Sequence, residues 1–123
     1  MDTAFYYHGL TDVIPDEYYI ATAESSRALR DPGIRQMYVK DEILNRGVME
    51  MVRRDARFRI YDRERMLIEL LRFKKKLPFD YYKEVLRNYR RILPQLNIQE
   101  VQDYAYEAPK SNKIMDVLQT EVM

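Results

Sequence analysis

The fold is decided by one stretch of the sequence, RFRIYDRERMLIELLRF at residues 57–73, in which the spacing of apolar residues changes at Asp62. Before Asp62 the residues alternate, with Phe58 and Ile60 on one face and arginines on the other, which is typical of a half-buried strand. After Asp62 the apolar residues recur with the period of an α-helix, at Met66, Leu70, Phe73 and Leu77. The stretch therefore predicts a strand that leads directly into a helix, with Asp62 placed to cap the first turn.

Three stretches before residue 57 also have the composition of short strands. They cover residues 18–23, 34–39 and 48–52, where β-branched residues, tyrosine and methionine are frequent. The turn formers Asp31-Pro32-Gly33 and Asn45-Arg46-Gly47 precede the second and the third of them. Because these connections are too short for crossover helices, we predict a small, mostly antiparallel sheet of about four strands within residues 18–61.

Four helices are predicted after the last strand, at residues 62–77, 79–93, 98–107 and 112–121. Pro78 separates the first two and Pro94 ends the second, because proline interrupts helical hydrogen bonding. Asn97 and Ser111 are the expected N-cap residues of the third and the fourth. A short helix that ends at His8-Gly9 completes the order, which is that of an α+β fold whose small sheet packs against C-terminal helices.

The composition is that of an ordinary globular protein. The chain has 123 residues, of which 46% are hydrophobic and 33% charged, and its formal net charge is +1. It has no cysteine, which excludes disulfides, cysteine-based zinc sites and thiol nucleophiles. Since no apolar run approaches the length of a membrane span and the N-terminus lacks the pattern of a signal peptide, we expect one soluble cytoplasmic domain over residues 1–123.

Positive charge is concentrated in the first pair of predicted helices. Residues 61–93 contain ten basic and five acidic residues, whereas residues 94–123 contain two basic and five acidic residues. On the second helix of the pair, four basic residues lie opposite the apolar residues, at the spacing i, i+4, i+7 and i+8. We name eight of the ten basic residues of residues 61–93 the basic face: Arg72, Lys74, Lys75, Lys76, Lys83, Arg87, Arg90 and Arg91. The basic face is either a solvated helix surface or a docking surface for a partner or a phosphate backbone, and spacing alone leaves both open.

Sequence patterns typical of catalytic sites are missing. A nuclease site of the acidic-x-lysine type needs a carboxylate two residues before a lysine, and none of the seven lysines has one. Asp55-Ala56-Arg57 comes nearest, but arginine rarely gives up its proton. His8 is the only histidine, and no sharp strand-to-helix turn presents Ser25 or Ser26 for a hydrolase triad. We therefore predict that the protein is not an enzyme and has no catalytic residue, cofactor or metal.

Two motifs of the sequence resemble those of a known family. The first is YHGLTDVIP at residues 7–15, followed by Tyr19-Ile20-Ala21. The second is YDRERMLIE at residues 61–69, followed by LRFKKKLPFD at residues 71–80 and EVLRNY at residues 84–89. Both are similar, in the same order, to the C-terminal domain of AbiEi-type antitoxins from bacterial abortive-infection (type IV toxin–antitoxin) systems. Met66 and Glu69 depart mildly from the family's usual threonine and aspartate.

The resemblance implies a domain organisation and a function. Members of the family join a winged helix-turn-helix domain to the antitoxin domain, and this sequence has no room for the winged helix, so we expect the antitoxin domain alone. That domain would support phage resistance by counteracting a nucleotidyltransferase-like toxin, acting on the toxin or on its target, directly or indirectly. The alternative is a nucleic-acid-binding accessory or transcriptional-regulator domain that uses the basic face, and an unrecognised enzyme is the third class.

Overall fold

The computed structural model describes residues 2–13, 18–23, 34–53 and 56–123. The strands within these ranges are β1 (Tyr18–Ala23), β2 (Ile34–Val39), β3 (Val48–Arg53) and β4 (Ala56–Tyr61). The α-helices are α1 (Asp2–Tyr7), α2 (Arg63–Arg72), α3 (Phe79–Ile92), α4 (Ile98–Glu107) and α5 (Ser111–Val117). A short helix, then strands, then helices is the order of a small α+β fold, so the predicted class is confirmed.

The strands pair two by two. β3 and β4 are antiparallel, with Met51 opposite Phe58, as the sequence predicts. β1 and β2 are parallel, with Tyr18 opposite Ile34, and this pairing differs from the mostly antiparallel sheet that we expected. Ten residues lie between Ala23 and Ile34, and an extended chain of that length spans about 33 Å, more than the roughly 20 Å length of a six-residue strand. The length of this connection is therefore sufficient for parallel pairing.

Side chains cap α2 and α4 as predicted. Asp62 Oδ1 accepts a hydrogen bond from the backbone N–H three residues later (2.7 Å), and Asn97 Oδ1 does the same (3.2 Å). Ser111 does not cap α5, because it is the first helical residue and follows Lys110, whose backbone is left-handed (φ +57°). A π-helical segment, Leu118–Val122, then continues α5 towards the C-terminus.

α2 is shorter than predicted, ending at Arg72 instead of Leu77. Proline disfavours a helical backbone in the residue before it, and Leu77, which precedes Pro78, is accordingly extended (φ −98°, ψ 147°). The residues between form one 3₁₀ turn, Lys74–Lys76, a tighter geometry that is common at helix ends. Three basic residues therefore lie in the turn between α2 and α3.

The core lies among the helices. α2 is at its centre, since every residue from Glu64 to Leu71 is buried. The buried residues that pack around it are Phe5, Leu10, Tyr82, Val85, Leu86, Tyr89, Leu96, Val101, Tyr104, Ala105, Ala108, Ile114, Leu118 and Val122. β4 reaches this cluster through the half-buried Tyr61. The buried residues of α3 lie on one side of the helix, and its opposite side faces solvent; they are Tyr82, Val85, Leu86 and Tyr89.

Leu86→Ala is expected to lower the free energy of unfolding by about 2–5 kcal/mol, because it removes buried volume that the helices cannot refill. Arg87 is the next residue and is exposed, so Arg87→Ala should change that free energy by less than about 0.5 kcal/mol. Urea unfolding of the two variants measures both effects. If the two variants were equally stable, the proposed packing of α3 on α2 would be wrong.

Candidate functional site

The two sequence motifs, which begin at Tyr7 and at Tyr61, contact each other. Nε2 of His8 donates a hydrogen bond to the carbonyl oxygen of Tyr61 (2.7 Å), which joins the turn after α1 to the end of β4. Gly9 forms this turn with a left-handed backbone (φ +74°), as predicted for the end of a short helix. Asn88 Nδ2 on α3 donates to the carbonyl oxygen of Leu10 (2.8 Å). The first motif therefore positions α3 relative to β4.

The second motif fixes the start of α2. The hydroxyl of Tyr61 donates to the carbonyl oxygen of Leu44 (2.6 Å), and the hydroxyl of Tyr104 donates to Asp62 Oδ2 (3.0 Å). Burial is the main reason that the pKa values of the Tyr61 and Tyr104 hydroxyls are raised, so both groups stay protonated as donors. These contacts connect β4, α2, α4 and the β2–β3 connection. We call the place where Leu44, Tyr61, Asp62 and Tyr104 meet the joint.

Arg65 and Glu69 form a buried ion pair within this joint. Arg65 is 3% exposed and Glu69 is 5% exposed, and Arg65 Nε lies 3.0 Å from Glu69 Oε1. Arg65 Nη1 also donates to the carbonyl oxygens of Ile43 (2.8 Å) and Arg46 (2.7 Å), while the guanidinium lies 4.2 Å from the centre of the Tyr61 ring. Because a buried charge needs this degree of pairing, these residues hold the β2–β3 connection on α2 and are unsuited to contact a partner.

Gly47 lets the β2–β3 connection approach α2 closely. Its backbone is left-handed (φ +79°), and its carbonyl oxygen accepts a hydrogen bond from the N–H of Asp62 (2.7 Å). A Cβ at this position would lie 2.8 Å from Cβ of Arg65 and 3.1 Å from the hydroxyl oxygen of Tyr104. Any larger residue would therefore be strained and would also overlap the joint.

Most of the basic face lies in solvent. Lys83, Arg87 and Arg91 are exposed on α3, on the side opposite its buried residues, and Lys75 and Lys76 are exposed in the 3₁₀ turn before it. In the parts of the chain that the structure describes, none of these residues has a carboxylate or carbonyl partner. We refer to Lys75, Lys76, Lys83, Arg87 and Arg91 as the five unpaired cations.

The other three residues of the basic face have partners within the chain. Arg72 Nη1 lies 3.0 Å from Glu69 Oε2 and so extends the buried charge cluster. Lys74 Nζ lies 2.8 Å from Glu121 Oε1, and Arg90 Nε donates to the backbone carbonyl oxygen of Glu121 (2.6 Å). Sequence spacing could not separate Lys74 and Arg90 from the five unpaired cations, because Glu121 is 47 residues from Lys74 and 31 from Arg90.

Glu121 attaches the C-terminal segment to α3. Its carboxylate accepts hydrogen bonds from Lys74 Nζ and from the hydroxyl of Tyr82 (2.9 Å). Burial acts to raise the pKa of this carboxyl, but the hydrogen bonds from Lys74 and Tyr82 and the charge of Arg90 outweigh it, so the pKa is lowered. Glu121 is therefore ionised at neutral pH and neutralises part of the basic face.

Three carboxylates meet where α2 and α4 begin. The side-chain oxygens of Asp62, Glu64 and Glu100 lie within 4.8 Å of one another. Negative charge is favourable at helix N-termini, because the helix dipole places partial positive charge there. Both oxygens of Asp62 already accept hydrogen bonds, one from the N–H of Arg65 and one from Tyr104, so the helix ends account for this grouping.

Glu64→Gln is expected to become more stable relative to the wild type as the pH rises from about 4 to 7. Burial, followed by the nearby Asp62 carboxylate, raises the pKa of Glu64 above its usual value of 4.5. The folded chain therefore holds this proton more tightly than the unfolded chain, and the stability from Glu64 is lost as the pH rises through its folded pKa. Glutamine has no such proton to lose. Urea unfolding at both pH values tests this, and a relative stability that fell over the range would contradict it.

A cavity of about 370 Å³ lies between the β1–β2 pair and α2, a size typical of small-molecule sites. Its walls are largely apolar and come from α1, from the four strands and from α2. Arg59 and Glu69 are the charged residues of the wall, and the carboxylate of Glu69 is already paired with Arg65 and Arg72. The cavity therefore suits an apolar molecule better than an ion. Sequence patterns could not reveal it, because elements far apart along the chain form it.

Some residues weighed from the sequence lie outside the described ranges. These are the serines considered for a hydrolase triad, Ser25 and Ser26, and the acidic residue of the nearest nuclease-like pattern, Asp55. Among the helices that the structure describes, none has the length and apolar character needed to cross a lipid bilayer.

Two comparisons with known proteins were without a match. No protein-family model matches the sequence, and no curated protein is similar enough to count as a relative. The residues and contacts of the chain itself are therefore the basis for a functional proposal.

Proposed function

We propose that this chain is a non-catalytic antitoxin domain of a type IV toxin–antitoxin system, which provides phage resistance by abortive infection. It would counteract a nucleotidyltransferase-like toxin in the cytoplasm, by contact of the basic face with the toxin or with its target. The two motifs similar to AbiEi-type antitoxins support the class of function. The five unpaired cations support the docking surface, and they are the observation on which the proposal depends most.

The spacing of these cations favours a docking role over simple solvation. Lys83, Arg87 and Arg91 follow one another at intervals of four residues on α3. Each like-charged pair at this spacing destabilises a helix by about 0.2–0.5 kcal/mol, whereas an acidic residue at position 87 alone would make both pairs favourable. A partner with acidic or phosphate groups would relieve this repulsion on binding. Binding of such a partner would therefore offset the repulsion within these two pairs.

The polar residues of the two motifs have a structural role, which leaves contact with a partner to the basic face. His8 bonds the carbonyl oxygen of Tyr61, and Arg65 is paired with Glu69, so these groups are occupied within the fold. The contacts of the motifs hold α3 in place, and the unpaired cations are the part of the basic face available to a partner.

Growth of bacteria that express a toxin tests the proposal. The chain is expressed together with the nucleotidyltransferase-like toxin expected beside it in the genome, and a toxin inactivated in its active site provides the reference growth rate. We expect the chain to restore growth to that reference. Continued growth arrest in cells that contain folded, soluble chain would contradict the proposal.

One observation favours the second candidate function, a nucleic-acid-binding accessory or transcriptional-regulator domain. The ring of Phe79 is exposed next to Lys83, one of the unpaired cations. Binding through phosphates has a recognisable signature, because the logarithm of the affinity falls linearly with the logarithm of the salt concentration. A steep salt dependence of binding to an oligonucleotide would support this function, and the absence of binding would oppose it.

A further inference from the structure

Phe79 is an apolar side chain held in solvent at the first position of α3. It is 67% exposed, whereas Tyr82 and Tyr89 on the same helix are buried. Phenylalanine has no polar atom that would favour contact with water. The ring of Phe79 is therefore an exposed aromatic surface that is not part of the core.

One cation lies close to this ring, and two more precede it in the sequence. Lys83 Nζ is 5.2 Å from the centre of the Phe79 ring, within the range of a cation–π contact. Lys75 and Lys76 are exposed in the 3₁₀ turn just before Phe79. Asp80 is the only acidic residue between Lys75 and Lys83 in the sequence. An open aromatic ring and three unpaired cations are thus found within nine consecutive residues, 75–83.

Tyr106 provides an internal comparison for Phe79. It is 80% exposed, so it is also an aromatic ring in solvent. Its helix, α4, contains Glu100, Asp103 and Glu107 and no basic residue. Phe79 therefore differs from Tyr106 in the charge around the ring and not in exposure alone.

On the basis of the docking role assigned to the basic face, we propose that Phe79 and the cations beside it bind single-stranded nucleic acid. One base stacks on the ring, and Lys75, Lys76 and Lys83 contact backbone phosphates. Every base has a flat aromatic face and every nucleotide has a negative charge, so a basic surface with an exposed ring binds single strands with little dependence on sequence.

Other acidic partners match this surface less completely. A duplex would satisfy the cations but not the ring, because its bases are already stacked on one another. An acidic protein surface would also pair with Lys75, Lys76 and Lys83 and would not need the ring of Phe79. The ring is therefore the feature that separates a single strand from these partners.

Fluorescence anisotropy with a labelled single-stranded RNA of mixed sequence, about 12 nucleotides long, tests the proposal directly. Since loss of one stacked base weakens binding about 5- to 150-fold, Phe79→Ala should raise Kd by a factor in that range. Phe79→Trp should preserve binding, because its ring stacks at least as well. Tyr106→Ala is the matched control and should leave Kd unchanged. The duplex of the same sequence should bind with a Kd that does not depend on Phe79.

A salt titration separates stacking from charge. Phe79→Ala should leave the slope of log affinity against log salt unchanged, whereas Lys83→Ala should make it shallower by about 0.7, the value for one phosphate contact on a single strand. Equal Kd values of the wild type and Phe79→Ala for the single strand would overturn the proposal. It would also be overturned if Phe79→Ala lost the same affinity for the single strand and for the duplex. Circular dichroism spectra of each variant show whether it is folded. If Phe79→Ala is unfolded, Phe79→Trp provides the test, and loss of RNA binding by folded Phe79→Trp would overturn the proposal.

The growth assay distinguishes this proposal from the antitoxin function. If the chain restores growth but Phe79→Ala binds RNA as tightly as the wild type, the single-strand site is wrong and the antitoxin function stands. If RNA binding depends on Phe79 but the chain does not restore growth, the single-strand site stands and the antitoxin function is wrong.

Discussion

Replacing Glu69 with alanine is expected to lower the free energy of unfolding by about 3–5 kcal/mol, because it leaves a buried guanidinium without its counter-charge. Arg65 is almost fully buried, and its Nε atom lies 3.0 Å from Glu69. The same carboxylate also pairs with Arg72. Alanine removes both ion pairs and adds no group that could replace them. Urea unfolding followed by circular dichroism measures the loss.

An exposed ion pair on the same protein provides the control. Glu107 accepts two hydrogen bonds from Arg46, at 2.8 and 2.9 Å, and both side chains are in contact with solvent. Exposed pairs contribute little, so Glu107→Ala should cost less than about 1 kcal/mol. If Glu69→Ala cost no more than Glu107→Ala, the buried cluster would not be the element that holds the β2–β3 connection on α2.

Reversing two arginines of the basic face is expected to abolish protection against the toxin. In Arg87→Glu with Arg91→Glu, two cations that would face a partner become two anions, so repulsion is added to the lost attraction. Arg90 is left unchanged, because its Nε atom bonds the carbonyl oxygen of Glu121 and a change there could disturb the C-terminal segment. Exposed charges contribute little to stability, so the urea midpoint should stay close to that of the wild type.

The helical half of the fold could be predicted because its signals are local. The change of period at Asp62 depends on neighbouring residues, and the cap that Asp62 forms is confirmed by its 2.7 Å hydrogen bond. Asn97 is a second cap of the same kind. Such contacts join residues three positions apart, so the sequence contains the whole of the evidence for them.

The direction of strand pairing could not be predicted in the same way. β1 and β2 are parallel, and strand composition does not distinguish parallel from antiparallel partners when both strands are short. The hydrogen bonds of Arg65 could not be predicted either, because its partners Ile43 and Arg46 precede it by 22 and 19 residues. Contacts of this range depend on how the whole chain packs.

The basic face could be predicted in outline but not in its functional detail. Helical spacing correctly placed Lys83, Arg87 and Arg91 on the exposed side of α3. It could not show that Lys74 has a partner in Glu121, which lies in a different element. The exposure of Phe79 was missed for another reason, since phenylalanine is usually buried and its pattern gave no sign of an exception.

The most direct test of the central claim, that the basic face docks the partner, compares two variants with the same change of charge in the growth assay. The first is Arg87→Glu with Arg91→Glu, and the second is Lys40→Glu with Lys113→Glu, two exposed lysines that have no ion-pair partner among the described residues. We expect the first variant to lose protection and the second to protect as well as the wild type. Equal protection by both variants, or equal loss in both, would contradict the claim.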